Sequence, residues 1–168
     1  MDLSFIGDAG RGLIETFPRR TIVDTTQAAV IWKMGKSPVR VGPGVVWWWP
    51  LVDTFAEIEI KKTTIDICKQ AIEMEDGNIV AVSGWITYEV TNPFEALTEF
   101  TDFTETLQES AAGVISEVIW ELNMPSLEVL QSSMKERLEE RFGKIINVID
   151  FSVSDYFKVK HTLLQWQP

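Results

Sequence analysis

The stretch VGPGVVWWWP, Val41–Pro50, sets an apolar run between two prolines and ends it in three consecutive tryptophans. Gly-Pro-Gly is turn chemistry, and the β-branched and aromatic residues after it are strand chemistry. Side chains on a strand alternate faces. Val45, Trp47 and Trp49 therefore point one way, and Val46 and Trp48 the other. One face can enter a core. The other needs cover from the chain's own elements, from another subunit, or from lipid headgroups, because indole favours boundaries between wet and dry. Of the three rings, Trp48 is expected to be the exposed one.

Working outward, TIVDTTQAAVIWKMG (Thr21–Gly35) reads as one or two strands ending at Gly35, and KSPVRVGPG after it as turn. TFAEIEIKKTTIDI (Thr54–Ile67) alternates apolar and polar residues, with a change of parity near Ala56 that predicts a bend or bulge. AIEMEDGNIVAVSGWITYEV reads as a hairpin turning at Asp76-Gly77, with Val80, Val82, Trp85, Ile86, Tyr88 and Val90 filling the returning strand. Asn92-Pro93 then opens a short helix, PFEALTEF. A second helix starts at Asp102, which stands at capping-box spacing from Glu105. Its apolar stripe is Phe103, Leu107, Ala111, Val114, Ile115, Val118 and Leu122. A third helix begins at Pro125-Ser126, turns Leu127, Leu130, Met134, Leu138 and Phe142 inward, and ends at Gly143. Ile146–Val159 is the last strand. The order is an antiparallel β-meander, then helices and a final strand, an α+β fold.

At the N-terminus, Leu3–Phe17 has a weak amphipathic pattern. Leu3, Ile6, Leu13, Ile14 and Phe17 share one stripe of a helical wheel, with Asp8, Arg11 and Glu15 opposite. Three glycines weaken the helix in isolation, so it needs a surface, either its own domain, a neighbouring subunit or a membrane interface. Residues 1–20 are read as this segment, 21–160 as the domain (β-rich over 21–92, α/β over 93–160), and 161–168 as a short tail.

The net charge is -10, and the acidic residues concentrate between Lys69 and Glu128. That distribution argues against nucleic-acid binding, which needs clustered Lys and Arg. Glu73, Glu75, Asp76, Glu95, Glu99, Asp102, Glu105 and Glu109 read as a solvated face. In an oligomer, Glu95, Glu99 and Asp102 could instead meet Arg137, Arg141 and Lys144 of a neighbour. Cys68 is the only cysteine and His161 the only histidine. A structural zinc site needs about four such ligands, so no metal, no cofactor and no catalytic constellation is expected. Cys68 is expected to be half-buried. The first twenty residues do not read as a signal peptide, and the longest apolar run, Val45–Val52, is broken by Pro50 and falls short of a span.

Taken in order, several motifs resemble the SPFH, or Band 7, family of stomatin, prohibitin and flotillin. They are Gly42-Pro43-Gly44-VVWWW-Pro50, ITYEVTNPFEAL (Ile86–Leu97), MPSLEVL (Met124–Leu130), and FG before IxVxxFxVxDY (Phe142–Tyr156). The resemblance implies a non-enzymatic domain that oligomerises at membranes into rings or cages. It also implies that the Gly-Pro-Gly and apolar region meets the bilayer. Relatives continue into a long coiled-coil helix after the last strand, whereas here HTLLQWQP follows. The expected function is a homo-oligomeric, peripheral membrane scaffold on the cytoplasmic side, touching lipid or partner subunits through Leu3, Ile6, Leu13, Ile14, Phe17, Trp47, Trp48 and Trp49. The alternative is a non-enzymatic structural subunit of a soluble cytoplasmic or virion-like assembly.

Overall fold

The computed structural model describes residues 17–74 and 77–159. Of the N-terminal stripe, Leu3, Ile6, Leu13 and Ile14 lie outside the described residues, as do Glu75, Asp76 and the tail 161–168. The chain divides into two units. One runs to Lys61 and adds Asn92–Thr101; the other comprises Lys62–Thr91 and the chain from Asp102 onward.

The first unit contains β1 (Arg19–Val23), β2 (Gln27–Lys33), β3 (Val39–Val41), β4 (Gly44–Trp48), β5 (Asp53–Glu59) and α1 (Pro93–Glu99). β1 and β4 form an antiparallel ribbon, and β3, β2 and β5 a three-stranded sheet with β2 central. VRV, expected within a turn, is the edge strand β3. The Gly-Pro-Gly motif enters β4 through Gly44, whose φ of +137° is a conformation that side chains with a Cβ rarely adopt.

The bend expected near Ala56 is absent. Register across β2 and β5 is unbroken from Gln27↔Glu59 to Lys33↔Asp53. The parity changes because β5 is covered on both faces. Phe55 shares a face with Ile31 and takes the Trp48 ring, while Ala56 and Ile58 share the other face with Val30 and Ala28, against which α1 packs. A strand covered twice carries apolar residues at both parities. The alternating stretch also ends sooner than expected, because β5 and the next strand belong to different sheets.

The second unit contains β6 (Thr63–Glu73), β7 (Ile79–Val90), β8 (Ile146–Val159), α2 (Phe103–Leu122) and α3 (Leu127–Phe142). β7 is the central strand of an antiparallel sheet. Val80, Val82, Ile86, Tyr88 and Val90 are buried as expected, whereas Trp85 sits at opposite parity and is exposed. Phe103, Leu107, Ala111, Val114, Ile115 and Val118 of α2, and Leu130, Met134, Leu138 and Phe142 of α3, form the core with them. Phe103 meets Tyr88 and Phe142 edge-on, at 6.3 and 6.1 Å between ring centroids. Two expected core residues of the helices are also exposed. Leu122 and Leu127 are the last residue of α2 and the first of α3, and the chain between them passes through left-handed Asn123 and Met124. Ile119 is buried in α2 instead. The Asp102 cap is present: its Oδ1 accepts from the Glu105 amide at 3.0 Å.

Candidate functional site

The Trp strand pairs with β1 in a register that sets Arg19 opposite Trp48, Arg20 opposite Trp47 and Ile22 opposite Val45. The ribbon therefore has two unlike faces. Thr21, Val23, Val46 and Trp48 turn toward the sheet. There the Trp48 indole Nε1 donates to Thr21 Oγ1 at 2.9 Å, and its ring stacks on Phe55 at 5.7 Å. Arg20, Ile22, Val45 and Trp47 turn outward, and Trp47 is 61% exposed. The expected parity is thus reversed. Trp48 is the covered ring, because Phe55 and Thr21 supply a stacking partner and an acceptor. Trp47 and Trp49 are the open ones.

At the Trp49 end of β4 the outward face continues into an apolar edge. The β4–β5 turn presents Trp49, Leu51 and Val52, and the β2–β3 turn presents Met34, which is 70% exposed. Asp53 ties the two turns together. Its Oδ1 accepts from the Met34 amide at 3.2 Å and its Oδ2 from the Trp49 amide at 3.0 Å, while the Met34 amide also reaches Val52 O at 2.9 Å. The register sends the chain before Arg19 out at this same end, where Phe17 is exposed.

Met34 is held in an unusual backbone. Met34 and Gly35 have φ of +53° and +69°, and the Lys36 amide closes the turn onto Lys33 O at 3.0 Å. Two successive positive φ angles call for Asn-Gly. A long apolar side chain at the first position is disfavoured locally, and it sits at the exposed tip. Local rules are most often broken where a function compensates. Arg19, Arg20, Lys33 and Lys36 are exposed in or beside the same strands. The apolar tip is thus flanked by exposed cations. Among the described residues no helix is long and apolar enough to cross a membrane.

The other predicted contacts fall in two groups. Glu95, half-buried, and Glu99 lie on α1; Asp102, Arg137, Arg141 and Lys144 belong to the second unit. Arg141 Nη2 contacts both carboxylate oxygens of Glu117, at 3.0 and 2.9 Å, and Arg137 pairs with Glu121 and Glu117. These pairs join α3 to α2 within one chain. Lys144 is exposed. Cys68, expected to be half-buried, is exposed: it follows buried Ile67 on the outward face of β6, and alternation breaks only after it, at the register shift before Gln70. Among the described residues no group of three or more His, Cys, Asp or Glu side chains is placed to hold a metal ion.

The model of the SPFH domain / Band 7 family matches residues 21–157. The chain belongs to this family. Its members are generally membrane-associated, non-enzymatic scaffolds. Among curated relatives, an uncharacterized protein of Methanothermobacter thermautotrophicus is 24% identical over 136 residues, 79% of this chain and 43% of its own length. One from Archaeoglobus fulgidus is 25% identical, covering 75% of this chain and 49% of its own. Human stomatin-like protein 1 is 20% identical over 73% of this chain and 32% of its own length. The chain thus spans less than half the length of these relatives. The SPFH match begins in β1 and ends in β8, so it includes both units and the whole Trp strand.

Proposed function

We propose that this SPFH domain is the membrane-facing, self-associating part of a peripheral scaffold, and that it meets lipid through the edge formed by Met34, Trp47, Trp49, Leu51 and Val52. The observation that carries the reading is the clustering of these exposed apolar side chains at one end of one unit, with cations beside them and Asp53 holding the two turns together. Indole and thioether side chains lower their free energy in the headgroup region, and Lys and Arg add roughly 1 kcal/mol each near an anionic surface. Leu3, Ile6, Leu13, Ile14 and Phe17 are proposed to add further lipid contact. Each contact is weak alone. Assembly into a homo-oligomer multiplies it by avidity.

Self-association is proposed to use head-to-tail contacts in which Glu95, Glu99 and Asp102 of one copy approach Lys144, Arg137 and Arg141 of the next. Side chains already paired at a surface exchange partners at little cost. The test is mass photometry of the purified protein, followed by flotation with anionic and with neutral vesicles. A discrete oligomer that floats, more strongly with anionic lipid, supports the reading. A discrete oligomer that stays with the soluble fraction would replace it with a protein-only assembly, in which the Trp edge is a seam between subunits.

A further inference from the structure

The first unit contains a cavity of about 180 Å³ between α1 and the β2–β3 side of the sheet. Ala28, Val30, Val41, Phe94 and Leu97 line it, and its one charged group is Arg40. The Arg40 guanidinium lies 4.6 Å from the centroid of the Phe94 ring, which fixes it by a cation–π contact. Among the described residues Arg40 has no carboxylate partner. An apolar pocket with a positioned guanidinium at its exposed rim is complementary to one class of molecule, a short hydrocarbon chain ending in a carboxylate. The volume lies below that of pockets for drug-sized ligands, which excludes a sterol or a diacyl lipid.

We propose that this pocket binds a free medium-chain fatty acid, with the tail against Val30, Phe94 and Leu97 and the carboxylate on Arg40. The position favours a free molecule over one still seated in a bilayer. Ala28 lies five residues along β2 from Lys33, roughly 17 Å by strand rise, so the pocket is at the end of β2 away from the Met34 turn. This inference is independent of the membrane reading, and either can fail without the other.

The experiment is calorimetric titration of the purified protein with decanoate, below its micelle threshold, and with decanol. The expected result is saturable binding of one decanoate per chain and about tenfold weaker binding of decanol, the loss of one charge-assisted hydrogen bond. Arg40→Gln should bring the two ligands level, and Ala28→Leu should abolish both by filling the cavity. Trp47→Ser/Trp49→Ser should bind decanoate as the wild type does, which separates the pocket from the apolar edge. If Ala28→Leu does not fold, the Arg40→Gln comparison still decides. Non-saturable binding, equal affinity for decanoate and decanol in the wild type, or loss of binding in the Trp variant would overturn the proposal.

Discussion

Trp48 Nε1 and Thr21 Oγ1 are joined across the β1–β4 ribbon at 2.9 Å, and this bond orients the strand. With Trp48 held inward against Phe55, alternation obliges Trp47 to face outward. The two neighbouring indoles therefore have different roles. Trp48→Ala should destabilise the domain by about 2–3 kcal/mol, since it removes a stacked, half-buried ring and leaves Thr21 without its donor. Trp47→Ala should stay within about 0.5 kcal/mol. Urea denaturation of both variants checks this, and similar losses in the two would mean that the ribbon faces are not distinct.

Met34 gives a second test, in which stability and function move apart. Its φ of +53° suits Asn better than Met. Met34→Asn should raise stability by about 0.5–1 kcal/mol and weaken vesicle binding. Parallel melting and vesicle-binding curves measure both. Stabilisation with unchanged binding would remove Met34 from the proposed contact.

Asp155 provides the acid-side prediction. Ser83 Oγ donates to its carboxylate at 2.9 Å and Lys69 Nζ lies at 3.3 Å, and these hold its pKa below the usual carboxylate value. A lowered folded-state pKa means the unfolded chain binds the proton more readily, so stability rises with pH through this group. The contribution is complete above the unfolded-state value and is lost as pH falls through the folded one. Asp155→Asn should therefore reduce stability at neutral pH and converge with the wild type in strong acid, as followed by denaturation from pH 7 to pH 2 (~five units, spanning the usual carboxylate range). A difference constant across that range would contradict the assignment.

Gly84 tests the central sheet. A Cβ there would stand 2.4 Å from the Ser152 carbonyl oxygen, at the register shift between β7 and β8. Backbone must move to accept it, so Gly84→Ala should cost about 1–3 kcal/mol. Thermal melting reads it out, and an unchanged melting temperature would mean that the strands separate freely there.

The second unit was the more legible part of the chain. Its helices are amphipathic, with one face on a sheet, so Phe103, Leu107 and Val114 announce themselves by spacing alone, and Asp102 marks where α2 starts. The first unit was harder to read. β5 carries Phe55 on one face and Ala56 and Ile58 on the other, a pattern that imitates a bulge, and the parity of Trp47 and Trp48 depends on Phe55 and Thr21, which are distant in sequence. The apolar edge was visible in part, through Trp47 and Trp49. Met34, Leu51 and Val52 were missed because single apolar residues in turns are ordinary, and only the folded turns bring them together. Asn-Gly chemistry replaced by Met34-Gly35 was the available signal.

The most direct test of the membrane reading is vesicle flotation of the wild type beside Trp47→Ser/Trp49→Ser, with the melting temperature of each recorded. The wild type should float, and the variant should stay with the soluble fraction while melting within a few degrees of it. A variant that melts like the wild type and floats equally well would contradict the claim that this edge is what meets lipid.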